Sequence, residues 1–338
     1  MESSREEKQI ARRKYCIIGL AVLLFLVVIL SLKIGTVTIS FREIIEVFTK
    51  GITTSGQRIM AYVRGPRVMA AVFGGAGLAV SGAIIQIILA NPMAGPNIIG
   101  VNAGAGFGAV LCGSLFPGFS LFLPFGAFLG AFITVVFVYL LGKVTGSSKI
   151  TLVLAGISIN SLINAATDTI YTFDDDAILN STLFRIGGLS GVNINVLVPA
   201  SIAIIISIII TYMIHNEMEL LSLGDETAKT LGLPVNKYRF IFLMLAAVLA
   251  GASVSFAGLL GFVGLIVPHM ARILIGSECK YMIVVCALLG SIFLTICDFL
   301  ARVLFSPFEL PVGIILSFLG APFFIYLLLF HNKKRKNS

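Results

Sequence analysis

LFLPFGAFLGAFITVVFVYLL, residues 121–141, runs for 21 residues without a charge. At 1.5 Å per residue a helix of that length covers roughly 30 Å, the thickness of a bilayer's hydrocarbon core. It shows no polar stripe of the kind a surface helix turns to water, so its solvent is lipid or other helices. Working outward, comparable apolar runs recur along the 338 residues. Ten spans can be drawn: Cys16 to Leu32, Val68 to Ala90, Ile98 to Phe116, Leu121 to Leu141, Ile150 to Tyr171, Val196 to Ile214, Phe240 to Leu260, Phe262 to Ile275, Met282 to Val303 and Val312 to Phe330. With 58% hydrophobic and 12% charged residues and a mean hydropathy of +1.03, little polar surface remains for a water-exposed globule. The expected fold is all-α: a polytopic membrane protein of about ten transmembrane helices, one membrane domain over residues 1–338, in contact with membrane lipid.

An even number of spans puts both ends on one side. Basic residues flank the first and last spans (Arg12, Arg13, Lys14; Lys333, Lys334, Arg335, Lys336), and Lys143, Lys149, Arg272 and Lys280 fall in short loops on the same side. The positive-inside rule makes that side cytoplasmic, with tails 1–14 and 331–338 and a loop over 215–237. The loop from Lys33 to Arg67 is the exception: Lys33, Arg42, Lys50, Arg58, Arg64 and Arg67 lie outside, a placement that hints at function. The net charge of +8 is explained by this distribution and not by nucleic acid. Cys16, Cys112, Cys279, Cys286 and Cys297 show no metal-ligand spacing and read as small core residues. No small-residue cleavage site follows the first span before Lys33, so it reads as uncleaved.

Pro268 and the short length of the eighth span predict a segment that begins as a broken or partly buried helix, and Asn91-Pro92-Met93-Ala94-Gly95-Pro96-Asn97 joins the second and third spans irregularly; such backbone at membrane depth needs protein or a water-filled cavity around it. A weak internal match aligns Gly74–Gly100 with Ala250–Gly276, pairing Gly75, Gly82, Pro92 and Gly100 with Gly251, Gly258, Pro268 and Gly276. The two copies would run in opposite directions, an inverted repeat. Gly100, Gly104 and Gly108, and Gly126 and Gly130, carry the spacing that lets helix backbones approach closely.

Nothing points to an enzyme. His215, His269 and His331 sit in no metal or triad pattern, and no GxxxxGK[ST] loop occurs, so no cofactor, metal site or catalytic residue is expected. The longest polar interruption in the second half, His215 to Arg239, contains a short helix-forming stretch, Glu226 to Leu231, stopped by Gly232 and Pro234; two short helices lying on the cytoplasmic face fit it. In the ninth span Asp298 has Arg302 one turn later as an ion-pair partner. Gln86, Asn160 and Asn164 are polar groups expected to face the bundle interior. Asp174, Asp175 and Asp176 read as solvated surface.

Ordered through the chain stand Arg64-Gly65-Pro66-Arg67, Ser81-Gly82 with Gln86, Asn91-Pro92-Met93-Ala94-Gly95-Pro96, the stretch Leu221 to Leu233, Gly261-Phe262-Val263-Gly264-Leu265-Ile266-Val267-Pro268-His269-Met270-Ala271-Arg272, Asp298 with Arg302, Glu309-Leu310-Pro311-Val312-Gly313 and Gly320-Ala321-Pro322-Phe323. Together they resemble the FecCD-type permeases of iron-siderophore, haem and cobalamin ABC importers. The resemblance implies a ten-helix permease pairing with a second permease, identical or related, two cytoplasmic ATPases and an external substrate-binding protein. It makes Leu221, Leu223, Gly224, Asp225, Glu226, Ala228, Leu231 and Gly232 the ATPase-coupling residues, and Arg64, Arg67 and Arg302 the residues facing acidic groups of the binding protein. Gln86, Asn91, Pro92, Asn160, Asn164, Pro268 and His269 would border a translocation path. Two positions depart from the pattern: Phe184-Arg185-Ile186-Gly187-Gly188 stands where the family often has Trp, and Met93 replaces Leu. The expected cargo is a ferric siderophore or similar metal chelate; the competing reading is a secondary transporter driven by an ion gradient, supported by the repeat and Asp298.

Overall fold

Helices account for every regular element among the described residues. We analysed a computed structural model that describes the backbone except at residues 1, 36–38, 41–42, 44–45, 48–50, 53, 117, 119–120, 146–148 and 337–338, and the side chains except at those residues and at 2–7, 327–328 and 330–336. Arg42, Lys50 and the side chains of the basic C-terminal tail therefore lie outside the described residues. We number the helices α1 (Glu2–Lys33), α2 (Ser55–Ile88), α3 (Val101–Leu115), α4 (Phe122–Val144), α5 (Lys149–Phe173), α6 (Asp175–Ile186), α7 (Ile194–Met213), α8 (His215–Ser222), α9 (Asp225–Thr230), α10 (Val235–Ala257), α11 (Val263–Ile275), α12 (Cys279–Val303) and α13 (Val312–Lys336).

The ten expected spans correspond to α1–α5, α7 and α10–α13. Seven of these are long and apolar enough to cross a bilayer, and Val101–Leu115, Val263–Ile275 and Val312–Tyr326 are shorter apolar helices. The chain is a multi-pass membrane protein. Length and hydropathy alone do not say which helices are central; glycine does. α2 is buried over most of its length because its small residues admit neighbours on several sides. A Cβ on Gly75 would stand 2.1 Å from the Gly290 carbonyl of α12, and one on Gly82 would stand 1.9 Å from the Gly264 carbonyl of α11. Ser81 Oγ donates to the Ala246 carbonyl of α10 at 2.8 Å, and Ser291 Oγ of α12 donates to the Val72 carbonyl of α2 at 2.8 Å. With no hydrophobic driving force between helices in lipid, backbone proximity and such hydrogen bonds hold the bundle. The glycines at fourfold spacing behave as expected: Gly104 meets Gly130 and Gly108 meets Gly126 across the α3–α4 crossing.

Two expectations change. Pro268 does not break its helix; α11 runs continuously through it, and the irregular backbone lies earlier, at Gly258–Phe262. Proline lacks an N–H and leaves the Gly264 carbonyl without its intrahelical donor. Gln86 of α2 supplies one, Nε2 to Gly264 O at 3.3 Å. The internal match pairs helix with helix only up to Gly82 and Gly258, because Gly258 caps α10 while Gly82 is mid-helix. Beyond it, Pro92 lies in a turn and Pro268 in a helix, so residue-by-residue equivalence stops there.

Candidate functional site

Charged side chains gather at the two ends of the bundle, and a polar cavity lies along one flank. At one end, which we call the foot end, α8 and α9 project between α7 and α10. Met218, Leu221, Ala228, Leu233 and Val235 are buried against the bundle. Gly224 and Gly232 bound α9 with φ of 102° and 84°, a left-handed conformation that favours glycine. Asp225 opens α9 and is clamped from behind, by Arg239 Nη2 at 2.6 Å and Lys149 Nζ at 3.8 Å. The residues expected to couple therefore differ in what they do in the fold: Leu221 and Ala228 anchor, Gly224 and Gly232 turn the chain, Asp225 ties it down, and Leu223, Glu226 and Leu231 face outward. Leu223 and Leu231 remain 55% and 58% exposed. The foot is also bonded to its surroundings: Glu219 accepts from the Cys279 backbone N–H at 2.6 Å, Arg13 pairs with Glu278, and Arg13 Nε donates to the Ile275 carbonyl at 3.2 Å.

At the opposite end the three expected docking arginines turn inward, so that expectation changes. Arg64, Arg67 and Arg302 are each 5% exposed or less. Arg67 Nε donates to Asp298 Oδ1 at 2.8 Å and Arg67 Nη1 to Glu309 Oε2 at 2.5 Å. Asp298 Oδ2 lies 3.1 Å from Arg302 Nε, an ion pair without hydrogen-bond alignment. The expected Asp298–Arg302 pair is thus part of a larger cluster. Arg64 Nη1 donates to the Leu32 and Lys33 carbonyls at 3.0 and 3.1 Å, and Arg302 Nη2 to the Ser31 carbonyl at 3.2 Å and to Ser31 Oγ at 2.5 Å. These carbonyls belong to the last turn of α1, which has no further helical N–H groups to bond them. A π turn at Met60–Arg64 adjoins this contact.

Along the flank, α5 exposes Ser161, Asn164, Asp168 and Thr169 in mid-helix. A mostly exposed helix whose open face carries two hydroxyls, an amide and a carboxylate is not turned entirely to lipid. Asn97, Asn102, Asn160, Asn164, Thr167, Asp168, Tyr171 and Arg185 line a cavity of ≈ 490 Å³, and Arg185 and Leu259 are shared with a second, of ≈ 600 Å³, against α13. Asn160 Nδ2 donates to the Asn97 carbonyl at 3.0 Å, while its Oδ1 has no partner. Of the expected path residues, Asn160 and Asn164 line this cavity. Gln86 and Pro268 are buried at the α2–α11 crossing, where Arg272 Nη1 also donates to Gln86 Oε1 at 2.5 Å. His269 packs edge-on to Phe323 of α13, and Asn91 and Pro92 are exposed beyond the end of α2.

The wall between the two cavities is irregular backbone satisfied by itself. Leu259 N–H donates to Phe184 O at 2.9 Å, Gly188 N–H to Ala257 O at 2.9 Å and Gly313 N–H to Gly187 O at 3.1 Å. A Cβ at Gly313 would meet Ile186 O at 1.8 Å. These bonds join the ends of α6, α10 and α13 and fix Arg185 at the cavity edge. Sequence reading missed α6 altogether, although its signals were present: Asp174 caps it, accepting from Ala177 N–H at 3.2 Å, Asp175 and Asp176 fill its first turn, and Arg185 occupies its last. Among the described residues no group of three or more His, Cys, Asp or Glu could hold a metal ion.

A multi-pass helical bundle with a polar flank and a short helical foot is an architecture suited to a membrane transport permease. The comparisons make the class specific: the FecCD transport family matches residues 23–330, and the chain belongs to that family. It is 34% identical over 338 residues to the Fe(3+)-citrate import system permease protein YfmE of Bacillus subtilis (strain 168), covering 99% of both chains. It is 36% identical over 325 residues to the hemin transport system permease protein HmuU of Yersinia pestis, covering 94% of this chain and 96% of that one. Its fold superposes with a TM-score of 0.83 and 30% identity on the inward-facing conformation of a metal-chelate type ABC transporter, covering 94% of this chain and 99% of the other.

Proposed function

We propose that this chain is the membrane-spanning subunit of an ABC importer that brings a ferric siderophore or similar metal chelate into the cytoplasm by alternating access, pairing with a second permease and driven by a separate ATPase dimer. The foot end faces the cytoplasm, with both termini, and an external binding protein docks at the arginine end. There the exposed Arg58 and the rim around Glu309 are the available contacts, with Arg64, Arg67 and Arg302 shaping the surface from beneath.

The observation that carries this reading is the foot. It pairs two outward leucines, Leu223 and Leu231, with a buried anchor and the Asp225–Arg239 clamp. A surface element that transmits force needs both an apolar handle for a partner and a stiff tie to what it moves. The competing reading, a carrier driven by an ion gradient, leans on Asp298 as a titrating group. Asp298 is 0% exposed between Arg67 and Arg302, which suits a structural anion and not a proton carrier.

The test is Leu223→Asp with Leu231→Asp in vesicles containing the complete importer. Both side chains are exposed, so the bundle should assemble as in the parent while nucleotide-driven uptake falls about tenfold or more, as expected when an interface loses its apolar anchors. Parental uptake by the double variant, or uptake by vesicles lacking any ATPase, would overturn the reading.

A further inference from the structure

The polar cavity has a chemical character that narrows its cargo, given the transport reading above. Arg185 stands at the junction of the ≈ 490 and ≈ 600 Å³ cavities, exposed, with its guanidinium carbon 5.4 Å from the centroid of the Tyr171 ring. The ring holds the side chain in place by a cation–π contact that consumes none of its five N–H donors. Among the described residues Arg185 makes no ion pair. Around it the lining offers neutral amides, Asn97, Asn102 and Asn164, the unpartnered Asn160 Oδ1, and the Asp168 carboxylate. A fork of donors beside amides and one acceptor complements a molecule that presents oxygen atoms outward together with a few hydroxyl or amide hydrogens.

We propose that this cavity admits a hydrophilic, oxygen-rich ferric chelate, and that Arg185 is the residue that selects it over a cargo with an apolar face and no carboxylate or other anionic oxygen. Ferric iron is held by hard oxygen ligands such as carboxylates and hydroxamates, whose outward lone pairs carry negative charge. Arg185 donates to those oxygens, and Asp168 accepts the hydrogens of the chelate's shell. An apolar macrocycle would cover the same groups without bonding them, and a polar site discriminates strongly against a ligand that leaves its donors unpaired.

The chain contains no Trp, so a single reporter can be placed at the cavity wall. Phe318, 75% exposed and lining the second cavity, is suited to Phe318→Trp. Full-length F318W in lipid nanodiscs is titrated with ferric citrate, with iron-free citrate as the control. Saturable quenching is expected, weakened about tenfold or more by Arg185→Gln, as for loss of a hydrogen bond between charged groups. Arg185→Lys should recover part of the affinity, and both variants should elute from size exclusion as F318W does. Non-saturating quenching, an R185Q titration equal to the parent, or metal-free octaethylporphyrin, which has no carboxylate, displacing ferric citrate at lower concentration would each overturn the proposal. The measurement needs no ATPase. Quenching as expected, with no nucleotide-driven uptake in complete vesicles, would remove the transport reading and leave the site; uptake with unchanged R185Q quenching would do the reverse.

Discussion

Asp298→Asn removes one charge from the arginine end and keeps its shape, and the structure allows the consequence to be worked out. Asp298 is wholly buried and is the carboxylate shared by Arg67 and Arg302. In the variant Arg67 retains Glu309 and Arg302 retains Ser31, but two buried cations face each other with one partly exposed carboxylate between them. Removing one partner of a buried pair costs about 3–5 kcal/mol. That is roughly two to three and a half decades in the folded ratio, since roughly 1.4 kcal/mol is tenfold. Arg67→Leu should cost a similar amount by removing the aligned donor to Asp298 Oδ1 and leaving the buried carboxylate only its unaligned pair with Arg302. The double variant removes both charges, so its loss should fall short of the sum by about 2–3 kcal/mol, the scale of coupling between groups in one network. Reversible denaturation of purified protein in mixed detergent micelles measures all three. Since the cluster is buried, the coupling should change little between low and high salt. A loss under about 1 kcal/mol for Asp298→Asn, or strict additivity in the double variant, would refute the claim that this cluster fastens the end of the bundle.

Two further substitutions probe the helix crossings. Gly130→Ala would place a Cβ 2.1 Å from the Gly104 carbonyl, where at least 3.0 Å is needed, so α3 and α4 must part and stability should fall by about 1–3 kcal/mol. Gly113→Ala on the same α3 meets nothing within 4 Å and should instead stabilise by about 0.5–1 kcal/mol; thermal denaturation of the pair checks the contrast, and equal effects would contradict it. Gln86→Leu should cost about 1–3 kcal/mol in the same assay by leaving the Gly264 carbonyl and Arg272 without their shared partner, and an unchanged midpoint would show that the amide bridges nothing important.

What the sequence made legible follows the range of the interaction concerned. Each span is announced by its own run of apolar residues, so ten helices could be drawn from hydropathy. The foot was legible because Gly232 and Pro234 stop a short helix locally, and the α3–α4 crossing because both its glycine rows have fourfold spacing. Arg302 was found for Asp298 because the two are a helical turn apart. Arg67, the better-aligned partner, lies 231 residues away, and no local pattern links them. For the same reason the burial of Arg64 and Arg302 was hidden: it depends on the last turn of α1, whose carbonyls lack helical donors and take these arginines instead, a tertiary contact. Arg185 was on the page as part of a departure from the family pattern, but its place at the cavity is set by backbone bonds among Phe184, Gly187, Leu259 and Gly313, which only the fold brings together.

The two ends of the bundle are fastened differently, and the difference bears on which end can move. At the arginine end the ties are buried: Arg67, Arg302 and Asp298 have side-chain exposures of 6%, 3% and 0%. Breaking any of them strands a charge away from water. At the foot end Arg13 and Glu278 are 19% and 41% exposed, so each of that pair can exchange its partner for water at small cost, while the clamp on Asp225, whose Arg239 is 3% exposed, keeps the foot itself stiff. Under the proposed cycle the ATPases act on the yielding end. α11 is the element placed to carry that motion, since its C-terminal carbonyl at Ile275 is held by Arg13, its Arg272 is held by Gln86 of the central α2, and its His269 touches Phe323 of the cavity-lining α13. A shift of the foot that loosens Arg13 and Glu219 would therefore reach α13 through one short helix, while the cluster of Asp298 keeps the far ends of α1, α2 and α12 together as a fixed hinge.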